Sequence, residues 1–215
     1  AGVLGANDGI VSVAAIVVGV AGATSSVAPL ITAGVAGLVG GAISMALGEY
    51  VSVSSQSDSQ RALIEKERRE LAEMPDEELA ELAAIYESKG ISAATAQQVA
   101  EELTRHDALS AHLEAELGIT ERDVVSPWQA AGASALAFTI GGVLPLAAIL
   151  LAPEPIRVLA TFIAVLSALV VTGALSARVG GNSWVRPTLR IVIGGALALA
   201  TTFLIGTLLG TTGVV

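Results

Sequence analysis

The stretch GIVSVAAIVVGVAGATSSVAPLITAGVAGLVGGAISMALG, residues 9–48, contains no Asp, Glu, Lys or Arg. A bilayer core of about 30 Å is crossed by roughly 20 apolar helical residues. The stretch is therefore long enough for two membrane-spanning helices, with a break near Thr24 to Pro29. Further uncharged runs cover residues 124–153, 158–177 and 191–215. The sequence predicts an all-α membrane protein with five transmembrane helices.

The composition favours the same fold class. Mean hydropathy is +0.73, and 14% of the residues are charged, whereas soluble domains contain about 25%. The absence of cysteine from the sequence excludes disulfides and thiolate metal sites. Arginine outnumbers lysine nine to two, which together with abundant Ala, Gly and Val indicates a GC-rich bacterial genome. We therefore expect the protein in a bacterial plasma membrane.

Nearly all the charge lies between the second and third spans. Residues 58–123 contain 17 acidic and seven basic residues, whereas the rest of the chain contains three and four. Three helical patterns fill this insert: residues 57–74 before Pro75, a second after Asp76 as N-cap, and a third from Ser92 to Gly118. The predicted domains are residues 1–56 with spans one and two, 57–123 with the three-helix insert, and 124–215 with spans three to five.

The basic residues predict the orientation of the chain in the membrane. Seven lie in the insert, and Arg178, Arg186 and Arg190 flank the loop between spans four and five. With five spans, the insert and this loop lie on the same side of the membrane. Because basic loops face the cytoplasm, we expect a cytoplasmic insert and N-terminus.

Three side chains in the first two spans are candidates for a transport path. Asp8 and Glu49 border the uncharged stretch, and a carboxylate at membrane depth is costly unless it is paired, hydrated or bound to an ion. The alternatives are a helix-capping role for Asp8 and a headgroup position for Glu49. Met45 is ordinarily a packing residue. Beside a carboxylate, however, its thioether would favour Fe²⁺, Mn²⁺ or Co²⁺ over Mg²⁺ and Ca²⁺.

Small residues in the second span predict a close helix contact. Gly34, Gly37, Gly41 and Ser44 follow one another at intervals of three or four residues. Such a row lets the backbones of neighbouring helices approach in a membrane. Packing within one subunit is the simpler interpretation of this row.

The insert contains pairs of potential metal ligands at helical spacing. Glu67 and Glu70 share one helix face, Glu78 and Glu81 share another, and His112 lies four residues before Glu116. If the three helices converge, these side chains form a divalent-metal site. The alternative is a solvated acidic surface with ordinary ion pairs, such as Glu65 with Arg69 and Arg69 with Glu73.

Other functional classes lack support in the sequence. A ferritin-like di-iron centre needs Glu-x-x-His motifs, but leucines stand three residues before both His106 and His112. No Gly-rich phosphate loop precedes a lysine, so the sequence does not indicate an ATP-driven pump. The acidic balance disfavours nucleic-acid binding. We expect neither enzymatic activity nor an organic cofactor.

Several motifs together resemble one family over essentially the whole chain. They are GANDGIVS at residues 5–12, SMALGEYVSVSSQ at 44–56, the acidic insert, FTIGGVLPL at 138–146 and RPTLRIVIGGALALATTFLIGTLLG at 186–210. In order and spacing they resemble the vacuolar iron transporter family, whose members exchange Fe²⁺, and often Mn²⁺, for protons. The resemblance implies a homodimer with a metal path at its interface, lined by residues that match Asp8 and Met45.

The resemblance also implies a cytoplasmic metal-binding domain. The family's glutamate ligands match Glu67, Glu70, Glu78, Glu81 and Glu116. Where family members place two methionines one turn before the last glutamate, this chain has His112 and Leu113. His112 could therefore replace a sulfur ligand with a nitrogen ligand.

These inferences lead to one functional hypothesis and two alternatives. The insert gathers Fe²⁺ or Mn²⁺ from the cytoplasm, Asp8 and Met45 conduct it outward, and Glu49 relays protons or metal. Because carboxylates bind metal when deprotonated, protons compete with the metal and a pH gradient can drive exchange. The alternatives are a membrane-anchored metal buffer or sensor without transport, and a proton-independent channel.

Overall fold

A computed structural model describes residues 2–120, 125–179 and 183–212, and the regular structure in these residues is entirely helical. The α-helices are α1 (Gly2–Ala23), α2 (Val27–Glu73), α3 (Pro75–Ser88), α4 (Ala93–His112), α5 (Pro127–Leu151), α6 (Arg157–Val179) and α7 (Val185–Thr211). A π-helical turn, Leu113–Leu117, follows α4, and a 3₁₀ turn, Glu154–Ile156, precedes α6.

Five of the helices, α1, α2, α5, α6 and α7, are long and apolar enough to cross a membrane. In α2 the uncharged part ends at Gly48, and the charged residues follow it. The turn predicted near Thr24 to Pro29 lies between Ala23 and Val27. The prediction of an all-α protein with five candidate membrane spans is thus confirmed, whereas the cytoplasmic position of the insert stays a prediction.

The chain divides into two compact units. We call Ala1–Tyr50 with Trp128–Val215 the apolar unit, and Val51–Pro127 the polar unit. The functional domain limits at residues 56 and 123 stay predictions, because a division by contacts does not test function.

Helix α1 forms the centre of the apolar unit. One of its faces packs Ile10, Ala14 and Val18 against α6 and α7. Another packs Val13 and Val17 against α2 and α5. The helix is apolar on both faces, as expected for a segment surrounded by other helices.

Glycines let α1 approach α5 and α7 at backbone distance. A β-carbon at Gly9 would meet the carbonyl oxygen of Phe138 in α5, and one at Gly141 would meet that of Ala6. In α7, β-carbons at Gly206 and Gly210 would meet the carbonyl oxygens of Gly19 and Ala23 in α1. Small residues pack helices together in this way in a membrane, where lipid provides no hydrophobic driving force for helix association.

The three glycines of the small-residue row predicted in α2 pack within the subunit, whereas Ser44, the fourth member, is exposed. Gly34 faces Leu146 and Val17, Gly37 faces Ile16, and Gly41 faces the ring of Phe138. A second row of small residues along α2 is exposed: Thr32, Ala36, Gly40, Ser44 and Gly48. At Gly40 and Gly48 a β-carbon would meet no atom within 4 Å. Helix α2 is the least buried of the five candidate spans.

Two predicted caps differ in the structure. Helix α1 begins at Gly2, so Asp8 lies inside the helix, and the interpretation of Asp8 as a cap is wrong. The N-cap of α3 is Met74 rather than Asp76. Pro75 takes the first helical position, where its missing N–H costs nothing and its fixed φ suits the helix.

The polar unit has its own small core. Leu82 of α3 packs with Ala100 and Ala111 of α4, and Ile64 of α2 is also buried. The rest of the unit's surface is mostly charged or polar. Its fold therefore depends on few apolar contacts, and the buried polar side chains described below occupy a large part of its interior.

The close contact between α1 and α7 yields a prediction for Gly206→Ala. The new methyl group would clash with the α1 backbone, which cannot move as a flexible side chain can. We expect a loss of about 1–3 kcal/mol in stability, as for overpacked cores, measured as a lower midpoint in thermal unfolding of the detergent-solubilised protein. The matched control in the same helix is Gly194→Ala, where a β-carbon meets nothing within 4 Å. Equal midpoints for the two variants would contradict the proposed packing.

Candidate metal centre

Three helices of the polar unit direct polar side chains toward one another. Glu67 lies in the charged part of α2, Glu78 in the first turn of α3, and His112 at the end of α4. All three are buried, with exposed fractions of 2% for Glu67, 6% for Glu78 and 0% for His112. Charged residues are almost never buried to this extent without a partner.

The imidazole of His112 lies between the two carboxylates. Its Nδ1 atom is 3.0 Å from Oε1 of Glu67 and 3.5 Å from Oε2 of Glu78. Glu116, in the π-helical turn, is exposed and lies at the solvent side of this group. One ligand atom each from Glu67, His112 and Glu116 lies within 4.8 Å of the others. The four side chains offer oxygen and nitrogen donors to one small volume.

The donor atoms at this centre are poorly satisfied by the protein itself. Glu67 Oε1 and both ring nitrogens of His112 are buried without a hydrogen-bond partner. The short distance between Nδ1 and Oε1 thus reflects proximity without hydrogen-bond geometry. Buried polar atoms usually have a partner, and leaving them without one is costly. A divalent cation would satisfy such a set of carboxylate and imidazole donors.

Burial and mutual repulsion change the acidity of the carboxyl groups, which lie outside the apolar part of α2. Burial, followed by the charges of Glu116, Glu78 and Glu70, raises the pKa of Glu67 to about 7. Burial also raises the pKa of Glu78, although nearby His112 opposes this effect. A proton therefore binds Glu67 at near-neutral pH, and a metal ion must displace it.

Two other predicted ligands lie at the edge of the cluster. Glu70 accepts a hydrogen bond of 2.7 Å from Nζ of Lys66, and Glu81 is exposed. Both carboxylates still raise the pKa of Glu78 through their charge. Their role as ligands stays a prediction.

The described surface includes an ion pair at helical spacing that the sequence did not single out, Lys66 with Glu70. Of the pairs expected there, Arg69 donates from Nε to the backbone oxygen of Glu65, 3.4 Å away. The Lys66–Glu70 pair partly neutralises the acidic surface of α2, and the expected ion pairs of Arg69 stay a prediction. The buried cluster of Glu67, Glu78 and His112 is a separate feature.

A break in α4 was missed in the sequence. Asp107 has an extended backbone, with φ −162° and ψ 93°, and its Oδ1 accepts a hydrogen bond of 3.0 Å from the backbone N–H of Ser110. The order Asp-Ala-Leu-Ser places an N-cap residue three positions before this donor, which was a usable signal. The π-helical turn after the break had no comparable signal.

In the apolar unit, the predicted path residues have different surroundings. Asp8 is half-buried, and its Oδ1 accepts a hydrogen bond of 2.7 Å from the hydroxyl of Ser12, one turn away. Met45 packs against the cluster that contains Val13, Val17 and Phe138. Glu49 is half-buried. The participation of these three residues in one ion path stays a prediction.

The raised pKa of Glu67 predicts the effect of Glu67→Gln on the metal-free protein. Relative to an ordinary carboxyl pKa of 4.5, the folded state retains the proton up to about pH 7. The favourable contribution of the protonated group is therefore present below pH 4.5 and lost as the pH rises through 7. We expect Glu67→Gln to unfold at a higher temperature than the parent at pH 8 but not at pH 4.5, because glutamine stays neutral at both.

Thermal scans in a metal chelator test this prediction, and Glu101→Gln, at an exposed position of α4, is the control. A variant that is less stable than the parent at pH 8 would show that the carboxylate is a structural partner of His112. Such a result would remove the argument that the cluster is built for a cation.

Comparisons with known proteins identify the family of the chain. The model of the VIT family matches residues 1–207. The vacuolar iron transporter of Acanthamoeba castellanii is 41% identical over 207 residues, which cover 96% of this chain and 76% of that protein. Vacuolar iron transporter homolog 2 of Arabidopsis thaliana is 36% identical over 99% of this chain and 85% of its own length. The resemblance seen in the sequence is confirmed: the chain belongs to the VIT family, whose members are integral-membrane transporters and not enzymes.

Proposed function

We propose that the protein is a proton-coupled transporter that exports Fe²⁺, Mn²⁺ or both from the cytoplasm. The observation that carries this proposal is the buried cluster of Glu67, Glu78 and His112, whose donor atoms lack hydrogen-bond partners. The printed names of the relatives, vacuolar iron transporters, support iron as a substrate. In this chain the polar unit gathers the ion on the cytoplasmic side, and the apolar unit moves it across a bacterial plasma membrane.

Competition between metal and protons provides the coupling. Glu67 holds a proton up to about pH 7, and a cation binds only when this proton leaves. In the apolar unit Asp8 presents a carboxylate at membrane depth, where only a proton, a cation or a hydrogen-bond donor makes it tolerable. Ser12 supplies one donor, and the second carboxylate oxygen is left for the transported ion. Glu49 relays protons or metal at the inner end of the path.

The donor set explains how the transporter rejects the abundant cations. Mg²⁺ and Ca²⁺ prefer shells made only of oxygen. A nitrogen of His112 in the polar unit and the sulfur of Met45 in the apolar unit favour Fe²⁺ and Mn²⁺ over both. Each unit thus combines carboxylate oxygens with one softer donor.

A homodimer completes the path in this proposal. The exposed row of small residues on α2, from Thr32 to Gly48, allows the same row of a second chain to approach closely. Such a contact between identical surfaces is the usual form of a twofold interface. Met45 directly follows Ser44, a member of this row, along α2. The proposed interface therefore lies close to the predicted ion path.

The transport proposal predicts the effect of Asp8→Ala on metal flux. Without the carboxylate, the ion loses its charged ligand in the membrane, and we expect Fe²⁺ and Mn²⁺ uptake into proteoliposomes to fall at least tenfold. Flux is measured with a metal-sensitive dye, with and without a pH gradient. The control is Glu154→Ala, which removes an exposed carboxylate between α5 and α6.

Three results would overturn parts of this proposal. Parental flux in Asp8→Ala would exclude the path through Asp8. Flux that follows the metal gradient but ignores pH would indicate a channel. Metal binding without flux in the parent would favour the buffer or sensor.

The dimer proposal predicts a separate effect of Gly40→Leu. Within one subunit a side chain at this position meets no atom within 4 Å, so we expect unchanged helical content. A leucine would hold two α2 helices apart, however, and the mass measured by light scattering in detergent should shift from dimer to monomer. The control is Val39→Leu, the neighbouring exposed apolar position. A dimer that survives Gly40→Leu unchanged would exclude this face of α2 as the interface.

A further inference from the structure

We propose that Asp107 is a positioning residue that directs His112 toward Glu67 and Glu78. The inference rests on the proposed role of His112 as a metal ligand in the polar unit. Asp107 itself is not a proposed ligand: it is exposed and belongs to no ligand group among the described residues. It acts on the metal centre through the backbone of the segment that carries His112.

The first observation is the break in α4. The extended backbone at Asp107 ends one helical segment, and the next begins at Ala108. The hydrogen bond from the Ser110 N–H to Oδ1 of Asp107 is the bond that an N-cap side chain makes with the third residue of a helix. A continuous α-helix instead turns by 100° per residue along one axis. The break thus sets both the direction and the rotation of the residues after it.

The second observation is how short the segment is. Between Asp107 and Gly118 it contains only ten residues, the last five of them in the π-helical turn. Isolated helices of this length are only marginally stable in water. The residues that cap the two ends therefore contribute to the stability of the segment. At the C-terminal end, Gly118 adopts a left-handed φ of 62° and donates its N–H to the Leu113 carbonyl. At the N-terminal end, Asp107 is the capping side chain.

The third observation is the contrast between the two histidines. His106 precedes the break and is exposed, whereas His112 follows it and is fully buried. The buried Ala111 and Leu113 flank His112 and anchor this part of the segment in the core. A shift of the segment would move Nδ1 of His112 away from Oε1 of Glu67, 3.0 Å from it. The π-helical turn, a feature often found at functional sites, carries Glu116 on the same segment.

The test uses the full-length protein in detergent, without a polyhistidine tag. Co²⁺ titration measures affinity, and nitrogen modulation in the pulsed electron paramagnetic resonance of bound Mn²⁺ reports a coordinated imidazole. We expect Asp107→Ala to weaken Co²⁺ binding at least tenfold, as loss of a supporting partner typically does, and to reduce the nitrogen signal. Asp107→Ser, which retains a capping oxygen, should restore both. His106→Ala should leave both unchanged.

A double variant separates positioning from a general loss of structure. In a His112→Ala background, Asp107→Ala should cause no further loss of Co²⁺ affinity, because the histidine it positions is gone. An equal loss in both backgrounds, or no rescue by serine, would overturn the proposal. So would parental affinity and nitrogen signal in Asp107→Ala.

The same measurements distinguish this inference from the proposed function. A parent protein without any nitrogen signal excludes His112 as a ligand, and with it the role of Asp107, whereas proteoliposome flux still tests transport. A parent with the signal, together with an unaffected Asp107→Ala variant, removes the role of Asp107 alone.

Discussion

A carboxylate held away from water needs a proton, a cation or hydrogen-bond donors, and the polar unit depends on how Glu67 meets this constraint. Its Oε1 atom lies beside a histidine that forms no hydrogen bond with it. Helices α2, α3 and α4 all contribute to the cluster, so the same few atoms affect both folding and the proposed cation binding. The apolar core around Leu82 is small, and the state of Glu67 therefore weighs heavily in the stability of the unit.

The apolar unit faces the opposite constraint, because lipid is as apolar as its side chains. Helix α1 approaches α5 and α7 through glycines that leave no room for a β-carbon, and dispersion contacts between backbones replace hydrophobic burial. Gly9 follows Asp8 directly, and Gly5 lies one turn before Gly9. The close contact with α5 thus fixes the backbone next to the carboxylate proposed to carry the ion.

The sequence was a good guide to the spans because lipid imposes a simple rule, an uncharged run of sufficient length. It was a poorer guide to caps. Asp8 is a strong capping residue type, yet α1 continues to Gly2, since the preceding residues also pack against α5. Pairing by helical spacing identified Glu67 and Glu78 separately but could not bring them together. Their meeting depends on the turn at Met74 and Pro75, and the break at Asp107 is proposed to bring His112 to them.

The family resemblance implies a methionine pair at the positions of His112 and Leu113, and this difference bears on the proposed chemistry of the polar unit. Leu113 is buried and offers no donor, so at most one of the two positions retains a ligand. Imidazole is a harder donor than thioether, but it is still unlike the all-oxygen shells that Mg²⁺ and Ca²⁺ prefer. The donor set proposed for the polar unit therefore still disfavours these two ions.

The replacement also changes how metal binding depends on pH. A thioether carries no proton at any physiological pH, whereas an imidazole binds metal only in its neutral form. Glu67 must likewise lose a proton before it binds a cation. An imidazole ligand therefore lets protons compete with the metal at a position where a thioether would not. If metal is exchanged for protons as proposed, a histidine ligand thus makes metal loading of the polar unit more sensitive to pH.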